Sequence, residues 1–340
     1  MKLVMLGYFG FGNAGDEAIL AAELTALRTA LGAETTFIAV SGDPAETRAT
    51  HGIEAVSRTD FRALITTLRG ADALIAGGGS LLQDVTSARP VAFYAGTMLI
   101  ARTLGKPVFV YAQGLGPITR GLNRRLAGWA LRSATYVSLR DESSIALATS
   151  LGARNATLVP DPVLGTTFAT HPQDRLAIAL RPWPGTWLPA VKAALTDLAK
   201  DTELVFVPFH GGQDVDLAHS LATPLGAEVV EPGDYGKTLE AVATSKATLG
   251  MRLHALITAA AATRPFVAIA YDPKVTAFAQ LTAQPLAATL PEPPTPDTLI
   301  TLTRKALEGP DQSYVETLET LKSATQTPTQ AVASHLRQQA

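Results

Sequence analysis

The stretch Leu3-Val4-Met5-Leu6-Gly7-Tyr8-Phe9-Gly10-Phe11-Gly12-Asn13-Ala14-Gly15-Asp16-Glu17 reads as a buried strand, a glycine-rich turn and the start of a helix. A short apolar run closed by glycine suits a strand of a parallel sheet, covered on both faces. The periodicity of Asp16–Ala30 then predicts an amphipathic helix. The same alternation recurs outward from this unit. Strands are expected at Thr35–Val40, Ala73–Ala76, Val108–Ala112, Thr135–Leu139 and Ala156–Val159, with helices at Phe61–Arg69, Ala92–Thr103, Gly121–Ser133 and Ser143–Ser150. The pattern restarts beyond Pro160, Pro162 and Pro172. Strands follow at Leu176–Leu180, Leu204–Pro208, Glu228–Val230, Ala247–Leu249 and Pro265–Ala270, with helices at Pro189–Lys200, Val215–Thr223, Gly236–Ala243, Leu253–Ala262 and Pro296–Glu308. Alternation of this kind predicts an α/β fold of two Rossmann-like, doubly wound domains. They are expected at residues 1–165 and 166–310, facing a cleft. A helical tail at 311–340 packs back on a domain or frays. In such folds ligands bind outside the carboxyl ends of the strands.

Composition narrows the function. The 340 residues are 47% hydrophobic and 17% charged, which excludes a disordered or fibrous chain. A net charge of −2 does not suggest a nucleic-acid-binding protein. The absence of cysteine excludes a disulfide scaffold, a cysteine-ligated metal and a thiol nucleophile. No signal peptide or membrane span is evident, so the expected location is cytoplasmic.

Polar residues gather after the strands. Gly77-Gly78-Gly79-Ser80, Gln113-Gly114, Arg140-Asp141, Asp161-Pro162, Arg181-Pro182-Trp183, His210-Gly211-Gly212, Arg252-Leu253-His254 and Asp272-Pro273-Lys274 all fall on that edge. Gly10-x-Gly12-x-x-Gly15 matches the dinucleotide fingerprint, but no acid ends the second strand, and Asp16-Glu17 would repel a pyrophosphate. The acidic pair either caps its helix or hydrogen-bonds sugar hydroxyls, with Asp16 a possible base. Arg140, Arg181, Arg252 and Lys274 suit a small polyanion carrying carboxylate and phosphate, although any one of them can equally form a structural ion pair. His254, at a helix start two residues from Arg252, is either a general acid or a packing histidine. Asp214-Val215-Asp216 reads as a helix cap rather than a metal pair. The helix Gly121–Arg132 joins arginines to Leu122 and Trp129; it either lies on a membrane surface or packs its apolar face inward.

Taken in order, these pieces resemble the polysaccharide pyruvyl transferase family, most closely its CsaB-type cell-wall branch. The segments carrying the resemblance are Gly7 to Leu20, Gly77 to Asp84, Tyr111 to Pro117, Leu139-Arg140-Asp141, Asp161-Pro162, Leu180 to Trp183, Gly250-Met251-Arg252-Leu253-His254-Ala255 and Tyr271 to Lys274. The resemblance implies a GT-B-like fold and phosphoenolpyruvate as donor substrate, with no cofactor or metal. It implies a mannosamine-type acceptor in a lipid-diphosphate-linked disaccharide at the inner face of the plasma membrane, and a 4,6-pyruvyl ketal product that serves S-layer anchoring. His254 is then the general acid, and Arg140, Arg181, Arg252 and Lys274 bind the donor. Gly12, Asn13, Asp16, Glu17, Gly78, Gly79, Ser80 and Gln113 are expected on the acceptor side. The rival readings are a GT-B glycosyltransferase using a nucleotide sugar, an NAD-dependent oxidoreductase and a non-catalytic two-lobed binding protein. The oligomeric state is not legible.

Overall fold

A computed structural model describes residues 1–85, 87–168 and 171–339. Ala169 and Thr170, inside the expected interdomain join, and Ala340, the last residue of the expected tail, lie outside the described residues. The chain forms two compact units. The first comprises Met1–Phe11, Ile19–Pro162 and Ala324–Ala340; the second comprises Gly12–Ala18 and Val163–Ser323.

The first unit holds seven strands: β1 (Lys2–Phe9), β2 (Thr36–Ser41), β3 (Glu54–Ser57), β4 (Ala73–Ala76), β5 (Val108–Gln113), β6 (Tyr136–Leu139) and β7 (Ala156–Leu158). Their order is β3-β2-β1-β4-β5-β6-β7, and every pairing is parallel. The run Leu3–Leu6 is fully buried because helices cover both faces. Successive side chains point to opposite faces of a strand, so Val4 and Leu6 enter one apolar cluster while Leu3 and Met5 enter the other.

The second unit holds β8 (Gln173–Ala179), β9 (Glu203–Phe206), β10 (Glu228–Val229), β11 (Ser245–Gly250), β12 (Phe266–Ala270) and β13 (Leu286–Thr289), in the order β10-β9-β8-β11-β12-β13. These pairings are also all parallel. Both sheets therefore reverse direction of build at a switch point, between β1 and β4 in one and between β8 and β11 in the other. Ligands bind beside such points, outside the carboxyl ends of the strands.

Two helices and two edge strands depart from the sequence reading. Pro44–His51 and Pro273–Leu281 are helices, although Asp43-Pro44 and Asp272-Pro273 read as turns. In both, the aspartate side chain caps the first turn and proline sits at the start, where its missing N–H costs nothing. β3 and β13 are short edge strands of four residues each, mostly half-buried or exposed, too short to stand out as strands. The tail is helical, at Gln312–Ala324 and Thr327–Gln339. Its Val332 and Leu336 are buried in the first unit's core, and Thr329 shares a 2.5 Å hydrogen bond with Tyr111.

Asp84 anchors the helix Gly121–Ser133. Its carboxylate accepts from the amides of Thr119 (2.7 Å) and Arg120 (2.9 Å), the Thr119 hydroxyl and Asn123 Nδ2. Burial alone would raise its pKa, but these bonds outweigh burial and hold it at about 2. Asp84→Ala is expected to cost about 2 kcal/mol by chemical denaturation, since two amides at the helix start and the buried Asn123 lose a charged acceptor. Because the folded pKa is depressed, the wild-type advantage is present above about pH 4 and is lost as pH falls toward 2.

Candidate functional site

In the second unit the site forms where β8 and β11 diverge. Gly250 ends β11 beside Ala179, and the amides of Met251 (2.8 Å) and Arg252 (3.3 Å) both donate to the Ala179 carbonyl. Arg252 is thereby fixed in the turn, with extended backbone, just before the helix Leu253–Ala261. Arg252 Nε donates to Asp214 at 2.8 Å, and its Nη2 bonds Asp214 Oδ1 (2.5 Å) and Gln213 Oε1 (3.2 Å). Asp214 stands at the N-cap position of the helix Val215–Ala222, and its side chain makes no capping bond there. Its fully buried side chain instead accepts from the amides of Phe209 (3.2 Å) and His210 (3.0 Å), and balances Arg252.

Arg181 follows β8. Its guanidinium packs over the rings of Tyr271 (4.7 Å) and Trp183 (5.3 Å), donates to the Tyr271 hydroxyl (3.2 Å) and meets Gln213 Oε1 (3.5 Å). Gln213 thus ties Arg181 to Arg252. Lys274 lies in the first turn of the helix Pro273–Leu281, three residues beyond Tyr271, and its amide is capped by Asp272 (3.0 Å).

The loop after β1 joins this cluster. Asn13 forms an antiparallel bridge with His210, the Ala14 amide donates to the Phe209 carbonyl (2.9 Å), and the Gly211 amide donates to the Gly12 carbonyl (3.3 Å). The backbone at residue 15 passes so close to His254 that any Cβ there would overlap the imidazole, so only glycine fits. His254 is half-buried, and its carbonyl accepts from Thr258 Oγ1 at 2.6 Å. Asn13 caps the helix that begins here: its Oδ1 accepts from the Gly15 amide, its carbonyl accepts from the amides of Asp16 and Glu17, and its Nδ2 bonds Asp16 Oδ2. Both acids are buried in the first turn, where the helix dipole favours them. Glu17 lies within electrostatic reach of Tyr235, whose pKa is raised first by burial and then by Glu17.

His210 belongs to the same group and was not singled out from sequence. Burial and then the Arg252 charge hold its pKa below the usual histidine value, so it is neutral near pH 7. The Gly211-Gly212 pair marked its loop, but nothing local placed it beside two arginines.

A second cluster lies in the first unit, beside its β1/β4 switch point. The Gly114 amide donates to the Gly79 carbonyl (3.0 Å), Gln113 Nε2 to the Ala76 carbonyl (2.7 Å) and the Arg140 amide to the Gln113 carbonyl (3.0 Å). Arg140 Nη1 pairs with Asp161 at 2.6 Å, both side chains being buried, and Nη2 approaches Ser80 Oγ at 3.4 Å. The candidate cations thus fall into two groups: Arg140 in the first unit, and Arg181, Arg252 and Lys274 in the second.

Beneath Gly77 and Gly78 lies Glu23, fully buried in the helix Ala14–Leu31. Its carboxyl occupies the space a Cβ at residue 77 would need, and neither oxygen completes a hydrogen bond. Burial, then the nearby Asp161 charge, push its pKa well above the carboxylate range; the Gly78 amide only partly offsets this. Its sequence signal was an acid in the helix that also buries Leu20, Leu24 and Leu27.

A profile described as polysaccharide pyruvyl transferase matches residues 13–273. The chain belongs to the polysaccharide pyruvyl transferase family. No protein of curated function matches it in sequence. Among solved structures it resembles UDP-GlcNAc 2-epimerase from Neisseria meningitidis, at 13% identity and TM-score 0.61, covering 99% of this chain and 100% of that one. A putative UDP-N-acetylglucosamine 2-epimerase from Listeria monocytogenes gives 13% identity and TM-score 0.63 over 99% and 97%. MurG of Acinetobacter baumannii gives 16% and 0.51 over 99% and 100%. At these identities the likeness concerns the fold, which is that of the GT-B enzymes: two parallel-sheet α/β domains.

Proposed function

We propose that this pyruvyl transferase moves the enolpyruvyl group of phosphoenolpyruvate onto two hydroxyls of a mannosamine-type sugar in a lipid-diphosphate-linked precursor, as in the CsaB-type branch. The product is a 4,6-pyruvyl ketal, and the acceptor places the reaction at the inner face of the plasma membrane. The observation that carries the reading is the pairing of Arg252, locked by Asp214 and Gln213, with His254, held under Gly15, at the second sheet's switch point. Phosphoenolpyruvate adds a carboxylate to a phosphate monoester and carries about −2.5 to −3 charges near neutral pH. Arg181, Arg252 and Lys274 supply cations for it. Arg140 stabilises Asp161 beneath the loops Gly78–Ser80 and Gln113, which shape the acceptor side. Gly12 lets the Asn13–Glu17 turn approach sugar hydroxyls.

In this scheme imidazolium His254 delivers a proton to the methylene carbon, leaving an oxocarbenium-like centre at the adjacent carbon. One sugar hydroxyl attacks that centre and loses its proton to a base, Asp16 or neutral His210. The second hydroxyl then displaces phosphate, and its proton leaves with the phosphate group. One proton is gained at carbon and two are released from oxygen, so the balance closes on ketal plus hydrogen phosphate.

The test is phosphate release with and without a synthetic lipid-linked N-acetylmannosamine disaccharide, with mass spectrometry of the product. Acceptor-dependent release and a pyruvylated sugar are expected. Binding of a UDP-sugar with no response to phosphoenolpyruvate would overturn the reading in favour of glycosyl transfer.

A further inference from the structure

The helix Gly121–Ser133 carries four exposed residues on one stripe. Leu122, Arg125, Trp129 and Arg132 fall within an arc of about 80° at 100° per residue. Asn123, Ala127, Gly128, Ala130 and Leu131, on the other side, are buried. Leu122 is 74% exposed and Trp129 53% exposed, although burying them would be favourable. Asp84 ties the turn holding Val85, itself 69% exposed, to the same helix end. Along the chain, residues 85–140 contain eight arginines and lysines and no aspartate or glutamate; the Asp84 carboxylate is engaged at the helix start, and Arg140 is buried against Asp161. Arg120, Arg124, Arg125 and Arg132 form no ion pair among the described residues. Arg124 donates to the Ile118 carbonyl and Ser150, and Arg132 to the Leu151 carbonyl, so the partners of both are neutral groups.

We propose that this helix docks peripherally on an anionic lipid bilayer, with Leu122 and Trp129 entering the headgroup boundary and Arg120, Arg125 and Arg132 facing lipid phosphates. The stripe sets an exposed leucine and tryptophan beside arginines, so one face offers both an apolar insert and cations for lipid phosphates. Trp is suited to that boundary because its ring is apolar and its N–H polar. A nucleic acid would match the arginines but not Leu122 and Val85. No helix among the described residues is long and apolar enough to cross a bilayer, so the contact is one of surface attachment. The inference does not depend on which sugar or donor the enzyme uses.

The experiment is flotation of the full chain with vesicles of phosphatidylcholine alone and of phosphatidylcholine with an equal share of phosphatidylglycerol, free of any acceptor. Binding to the anionic vesicles, and its weakening in about 0.5 M salt, are expected, because the screening length there falls to a few ångströms. Arg125→Glu changes the local charge by two and is expected to weaken partition by about 30-fold. A Leu122→Ser/Trp129→Ser variant with wild-type circular dichroism is expected to lose at least about 10-fold. The proposal is overturned by absence of binding to anionic vesicles, by equal binding to neutral ones, or by folded variants that bind like wild type. It is also overturned if sedimentation shows a dimer that the serine variant dissolves, which would make this face a contact between copies.

Discussion

Replacing His254 by alanine is expected to leave a folded protein that still binds phosphoenolpyruvate but releases phosphate about 10²–10⁴-fold more slowly, the usual span for a general acid. The fold should survive because the ring is only half-buried and the helix below it is held by other contacts: Ala255, Leu256 and Ile257 are buried. Donor binding should survive because Arg252 is positioned by Asp214 and Gln213, not by the imidazole. Loss confined to turnover therefore separates a proton donor from a packing residue. The measurement is phosphate release together with the rise in melting temperature that phosphoenolpyruvate causes. Wild-type turnover by a folded His254→Ala protein would remove this residue from the chemistry.

Much of this site was legible because of where glycines and arginines stand relative to strands. Gly250-Met251-Arg252-Leu253-His254 ends an apolar run and opens an alanine-rich helix, and that context alone placed Arg252 in the turn. The fold was legible for the same reason: buried parallel strands such as Leu3–Leu6 are continuous apolar runs. What stayed hidden depends on distant partners. Asp214 looks like a helix cap locally, yet its charge answers Arg252, 38 residues away. The sequence leaves a structural ion pair open for Arg140 but does not point to its partner, Asp161, 21 residues on. Asp43-Pro44 and Asp272-Pro273 suit a turn and a helix start equally, because proline stops a helix and also starts one. The grouping of Gly12–Ala18 with the second unit arises from backbone bonds to Phe209 and Gly211, which no periodicity encodes.

Glu23 carries the other large expectation. Its carboxyl is fully buried, without a completed hydrogen bond, and close to Asp161, so it is held protonated well above the pH at which an exposed glutamate ionises. Unfolding exposes the group, with a pKa near ~4.3, and releases its proton. A raised folded-state pKa makes the native state relatively most stable at low pH, with stability falling as pH rises above that unfolded value. Glu23→Gln keeps the shape and neutrality without a titrating proton. The stability of the glutamine variant minus that of wild type should thus be flat below about pH 4. Above it, the difference should grow by about 1.4 kcal/mol per pH unit until the folded-state pKa is reached. Chemical denaturation of both proteins between about pH 4 and about pH 8 reads this directly. Parallel profiles would mean that Glu23 is ionised in the native state. The slope matters for the site because Glu23 fills the space under Gly77 and Gly78. An ionised Glu23 would place a second negative charge near Asp161, which already pairs with Arg140. A neutral Glu23 leaves that ion pair balanced and the glycine loop seated on an uncharged support.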